Sequence, residues 1–285
     1  MNNSRSGSFK DRAFKTVGIL AITFCMLTLA IFVGFVLYQG IDRLSWEFMI
    51  SLPSRFADQS GIYTAWIGTL WVLVLTTLIS FPLGVGAGIY LEEYGKKGKL
   101  SNLLEINIAN LAGVPSIIYG LLGLEVFVRM MNMGSSILAG ALTLALLILP
   151  IIIVSTREAI RAVPSSIKEA SVALGASKWQ TIWNQTLPAS FGGILTGVIL
   201  AISRAVGETA PLIVIGALAY VPFAPRGPFD EFTVLPIQIF NWVSRPQHEF
   251  VINAAAAIIV LLLITFVMNG IAVYLRNHWQ QKINW

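Results

Sequence analysis

With 285 residues, 56% of them hydrophobic, 12% charged and a mean hydropathy of +0.76, the chain departs from soluble domains, in which about a quarter of residues are charged. That composition excludes a water-soluble globular domain. The net charge of +5 and pI near 9.4 call for no nucleic-acid partner, because the basic residues sort by side of a membrane. The single cysteine, Cys25, excludes an intramolecular disulfide.

Six stretches, about 17–38, 65–90, 103–124, 135–155, 189–218 and 251–275, are long and apolar enough to cross roughly 30 Å of hydrocarbon as helices. The predicted fold class is therefore all-α, a polytopic membrane protein embedded in the lipid bilayer. With the N-terminus inside, one side holds thirteen Lys and Arg: Arg5, Lys10, Arg12, Lys15, Lys96, Lys97, Lys99, Arg157, Arg161, Lys168, Lys178, Arg276 and Lys282. The other side holds five: Arg43, Arg55, Arg129, Arg226 and Arg245. The positive-inside rule then places both termini in the cytoplasm. The nineteenth, Arg204, lies within a span.

In chain order, residues 1–16 read as a polar, mobile cytoplasmic tail, and 17–63 as an uncleaved first span with an outer segment. The core, 64–276, opens with a span in which Pro82 can introduce a kink. Gly84 and Gly88 in that span form a small-xxx-small pair that admits a neighbouring helix. The third span carries Pro115 at mid-membrane, which frees a carbonyl that must be partnered or line a wet cavity. Glu125 and Arg129 follow as a solvated pair. The fourth span is nearly uniform Leu, Ala and Ile, and runs on into Arg157, Glu158 and Arg161.

Between the fourth and fifth spans, residues 164–188 carry helix punctuation that no span needs. Ser166 and Glu169 have the spacing of a capping box, Gly175 that of a left-handed helix stop, and Ser177 and Gln180 that of a second box. Trp179, Ile182, Trp183 and Leu187 make an apolar stripe opposite Lys178, Gln180 and Gln185, and Pro188 closes the element. Such a bent amphipathic piece can lie on the membrane, bury against its own bundle, or dock in another protein's groove.

The fifth span contains ISRAVGETAPL, with Arg204 and Glu208 four residues apart and so on one face. Intramembrane charges are expensive and face the bundle interior or water. Two readings stay open. The pair can fix helix register, or Arg204 can meet an oxyanion in transit while Glu208 weakens its hold, with Ser203 and Thr209 bordering the passage. Residues 219–250 are a long outer segment with a short helix expected at Leu235–Val243 that offers Phe240 and Trp242 to an interface. The last span and a cytoplasmic tail, 277–285, end the chain.

Glu169, Ala170, Gly175, Leu187 and Pro188 fall at the spacing of the EAA loop, and this element resembles the one by which permeases of ABC importers engage their ATPase. Ser171 and Gln185 depart from that pattern. The runs PLGVGAGIYLEEY, GVPSIIYGLLGL and RAVGETA resemble the phosphate-transporter permeases in particular. This resemblance implies five core helices with the first span outside them, and contact with the ATPase through Glu169, Ala170, Gly175, Ala176, Trp179, Leu187 and Pro188. It also implies a second permease in a hetero-pair, two copies of an ABC ATPase and an extracytoplasmic phosphate-binding protein. The chain has no GxxxxGK[ST] phosphate cradle and no HExxH. It is therefore expected to bind no cofactor or metal itself, with ATP and Mg used by the ATPase subunits. Permeases for sulfate, molybdate or phosphonate are the alternative. An ion-coupled secondary transporter is a more distant one, for which internal repeats are the usual sign.

Overall fold

The computed structural model describes residues 3–95, 98–217 and 220–280. Lys96, Lys97, Lys282 and the rest of 281–285, which entered the reading above, lie outside the described residues. Five long helical segments could cross a membrane: Lys10–Arg43, Tyr63–Tyr94, Ile137–Arg161, Lys178–Gly207 and His248–His278. A sixth is the bent pair Asn102–Ala112 and Ser116–Met130. The 25 residues of Ile137–Arg161 rise about 37 Å as a helix, enough to span.

Helix α1 (Asn3–Gly40) takes in most of the predicted tail. No proline interrupts the first sixteen residues, so a helix nucleated in the span propagates back through them, and the expected mobile tail 1–16 is corrected to helix from Asn3. Helix α1 leans on α12 (His248–Gln280) at Gly40, where an added Cβ would sit 2.6 Å from the Ala255 backbone. After α2 (Trp46–Ile50), α3 (Tyr63–Ile89) runs unbroken past Pro82 and widens into a π-turn at Tyr90–Tyr94.

The central element is α6 (Ile137–Arg161), almost wholly apolar up to Val154 and packed against α3, α4 (Lys99–Ala112), α5 (Ser116–Gly123), α9 (Leu187–Gly207) and α10 (Ala210–Val214). Gly84 and Gly88 are where it meets α3. A Cβ would stand 2.6 Å from Ile152 at the first and 2.6 Å from Thr156 at the second. Gly193 and Gly197 seat α9 on Ala159 and Ser155 in the same way.

Two spans break, and each break is the work of a proline four residues beyond a carbonyl. Pro115 has no N–H for the Leu111 carbonyl, and its ring drives Val114 out of the helical region. The chain bends by 98° there. The freed Leu111 carbonyl is taken by the Tyr119 hydroxyl at 2.8 Å and by the Val114 N–H at 3.1 Å, so the third span is a broken one rather than a single helix. Pro211 stands in the same relation to Gly207, where α9 ends. Glu208 is extended (ψ 112°), and the Thr209 hydroxyl lies 3.4 Å from the Gly207 carbonyl. The fifth span, expected over 189–218, therefore runs over Lys178–Gly207. The helices beyond the two breaks, α5 and α10, meet, with Pro211 against Gly120.

At the end of the bundle away from 164–188, Arg43 donates to the Asn253 side chain at 2.8 Å and to the carbonyls of Ala57, Asp58 and Ser60. Helix α11 forms over Leu235–Val243, as expected. Thr69 fixes its start by accepting the Leu235 N–H at 2.9 Å. Phe240 is exposed, but Trp242 is fully buried with Phe48 and Phe250. The interface expected of Trp242 is thus corrected: its ring closes the core beneath α11.

Candidate coupling element and pathway

Helix α7 (Ser165–Ala173) starts directly after Pro164, whose backbone (φ −57°, ψ 136°) takes the cap position. Ser166 is thereby inside the first turn and caps nothing, so the predicted Ser166–Glu169 box is absent, and Glu169 and Ala170 are exposed. The stop at Gly175 is present, with φ +85°. The Gly175 N–H donates to Val172 at 2.9 Å and the Ala176 N–H to Ser171 at 3.2 Å, a Schellman ending. The second box is formed in full on α8 (Lys178–Thr181). Gln180 N–H donates to Ser177 Oγ at 3.3 Å and Ser177 N–H to Gln180 Oε1 at 2.8 Å. Ser171 and Thr181 hydroxyls, 3.0 Å apart, hold the two limbs of the bend together.

The expected apolar stripe divides. Ile182 is buried and Leu187 half-buried, whereas Trp179 and Trp183 stack on each other at 5.7 Å and face outward. Leu174, at the tip of the bend, is 90% exposed. Pro188 does not close the element. A π-turn over Ile182–Thr186 carries α8 directly into α9, its wider ring leaving room for the proline in the first turn. The second limb of the bend and the fifth span are thus one continuous helix, Lys178–Gly207.

Behind this element lies an ion network that local spacing did not disclose. Arg157, which is buried, donates to Glu92 at 3.2 Å and to Glu105 on α4 at 3.0 Å. Arg161 reaches Glu92 at 2.9 Å, Glu105 at 3.0 Å and Glu158 at 3.1 Å. Lys168 pairs with Glu93 at 2.6 Å, and Lys178 donates to the Glu93 carbonyl while lying 4.8 Å from the centre of the Tyr94 ring. The expected pair Glu125–Arg129 forms at 2.9 Å in the open.

Arg204 and Glu208 are brought together at 3.3 Å, Arg204 in the last turn of α9 and Glu208 in the break. Arg204 lies on an exposed strip with Leu200 and Gly207. A guanidinium facing hydrocarbon is costly, which favours water or protein against this strip. Ser203 turns away from it: its hydroxyl meets the Ile199 carbonyl at 2.8 Å and the Asn269 amide of α12 at 2.6 Å. No cluster of His, Cys, Asp or Glu among the described residues has the geometry to hold a metal ion.

Residues 80–280 match the family described as binding-protein-dependent transport system inner membrane component. The chain belongs to that family. A relative from Yersinia pestis, the phosphate transport system permease protein PstA, is 36% identical over 82% of this chain and 79% of its own length. PstA of Pasteurella multocida is 30% identical over 96% and 95%. A probable ABC transporter permease of Bacillus subtilis, YqgI, is 32% identical over 87% and 89%. Among solved structures, a chain of a bacterial ABC transporter for the polysaccharide alginate aligns with a TM-score of 0.67 at 13% identity, over 96% of this chain and 99% of that one. A chain of the MetNI methionine ABC transporter aligns at 0.61 and 18%, over 74% and 94%. The fold is that of type I ABC importer permeases, multi-pass and helical.

Proposed function

We propose that this chain is a transmembrane subunit of an ATP-driven importer of inorganic phosphate. The observation that carries the reading is the similarity to PstA proteins over 82% and 96% of the chain. The bend offers Leu174, Trp179 and Trp183 outward from a rigid, capped frame, which suits a helix that docks into a groove of a partner ATPase. On this reading the basic α7–α8 end and both termini are cytoplasmic, in a bacterial inner membrane. The chain binds no cofactor itself; ATP and Mg belong to two ATPase copies.

The Arg204–Glu208 pair sits at a helix break, the usual place for substrate contacts in transporters. Its exposure on the single chain supports a pathway shared with a second permease. A planar fork of donors suits a tetrahedral oxyanion, and a carboxylate beside it keeps the hold weak enough for release. Glu208 and Thr209 then border the passage with Arg204, whereas Ser203 locks α9 to α12. At the opposite end Arg55, Arg245, Gln59 and Tyr220 line an open cleft, a surface suited to an extracytoplasmic phosphate-binding protein.

The test is phosphate uptake in cells lacking their own high-affinity system, with this chain expressed alone or with its ATPase, partner permease and binding protein. Uptake only with the full set, competed by arsenate and not by sulfate, is the expected result. Uptake by this chain alone, indifferent to ATP but dependent on the proton gradient, overturns it in favour of a secondary transporter. Competition by sulfate shifts the substrate to another oxyanion.

A further inference from the structure

We propose that Glu93 is the positioning residue through which movement of the α7–α8 bend reaches α3, an inference that rests on the ATP-driven reading above. Glu92 and Glu93 are neighbours in the π-turn that ends α3, yet they serve different parts of the molecule. Glu92 is held by Arg157 and Arg161 of α6, inside the bundle. Glu93 is held instead by the bend. Lys168 on one limb takes its carboxylate at 2.6 Å, and Lys178 on the other takes its carbonyl. Both limbs thus converge on one residue. The bend cannot shift without either pulling Glu93 or breaking two contacts.

The Glu93 side chain is only 11% exposed and that of Lys168 29%, so the pair is shielded enough to resist solvent exchange, unlike the open Glu125–Arg129 pair. Beyond Glu93, α3 has no slack. Gly88 and Gly84 leave α6 no gap at Thr156 and Ile152, and farther along Thr69 bonds the start of α11. A pull at Glu93 is therefore passed along a rigid element rather than absorbed. The adjacent Glu92 ties the same turn to Arg157 and Arg161, and through Glu105 to α4. The turn at Tyr90–Tyr94 is the joint where the moving bend meets the gating helices.

The experiment uses the complete complex in proteoliposomes, with loaded phosphate-binding protein, and reads phosphate imported per ATP hydrolysed. Glu93→Gln keeps the side-chain size and the backbone contact to Lys178 but removes the charge. ATPase co-purification and the thermal midpoint should stay at wild-type values, while the import ratio falls about 5-fold or more. The charge exchange Glu93→Lys with Lys168→Glu should bring the ratio back. An unchanged ratio in Glu93→Gln overturns the proposal, as does a charge exchange that recovers nothing. If Glu93→Gln does not assemble, Lys168→Gln tests the same pair from its more exposed side: a reduced ratio supports the proposal and a wild-type ratio overturns it. A wild-type complex with no ATP-driven uptake overturns the transport reading itself and this inference with it, a result distinct from any loss confined to the Glu93 variants.

Discussion

At the α11 end of the bundle, Arg43 is anchored on three backbone carbonyls and Asn253, and Trp242 is sealed between Phe48 and Phe250. At the α7–α8 end the ties run instead between charged tips, Arg157 and Arg161 with Glu92 and Glu105, and Lys168 with Glu93. A packed ring has one arrangement. The Arg161 pairs, partly open to water at both ends, can exchange partners at modest cost, whereas the shielded Lys168–Glu93 pair holds. The contrast teaches where the molecule can change shape: the α11 end is bolted, and at the charged end the Arg161 pairs can re-form while Glu93 follows the bend.

The contrast breaks most severely at Trp242. Trp242→Ala leaves a cavity in a dry cluster, a change that typically costs about 3–5 kcal/mol. The purified chain should show a large drop in thermal midpoint by size-exclusion melting, and little folded protein. Arg157→Ala should cost less, about 2–3 kcal/mol. That is below the full penalty of a broken buried pair, because Glu105 is partly open to water and Arg161 remains beside both carboxylates. The same melting assay should show a moderate drop, with faster hydrogen exchange in α4 and at Tyr90–Tyr94. Gly175→Ala is the mildest. Nothing crowds the position, so only the left-handed backbone is penalised, by about 1–2 kcal/mol. Hydrogen exchange should rise across 165–181 while the midpoint barely moves. A midpoint loss in Gly175→Ala equal to that of Trp242→Ala would erase the distinction between the two ends.

Much of this was legible in the sequence because the signals were local. The Gly175 stop needs only a residue without Cβ, the Ser177–Gln180 box only two side chains three apart, and α11 only Pro236 in the first turn of an apolar run. The same logic failed at Ser166. Pro164, two residues earlier, starts the helix and leaves the serine inside it. The end of α9 at Gly207 was readable in principle, from Pro211 four residues on, but the apolar run through 218 outweighed it. Beyond the local pair Glu158–Arg161, the ion network was not readable. Glu92 and Arg157 are 65 residues apart, and Glu105 and Arg161 are 56 apart, so no helical spacing links them. Trp242 was misjudged for the same reason, since its neighbours Phe48 and Phe250 come from elsewhere in the fold.

The docking of the bend on an ATPase is tested most directly at Leu174. The residue is 90% exposed at the tip, so Leu174→Asp removes an apolar anchor without disturbing the fold. ATP-driven phosphate uptake by the reconstituted complex, measured beside the melting curve of the same preparation, should fall at least about tenfold, as for loss of a central anchor, while the midpoint is unchanged. Uptake at the wild-type rate, with the ATPase still bound, would contradict the role assigned to the bend.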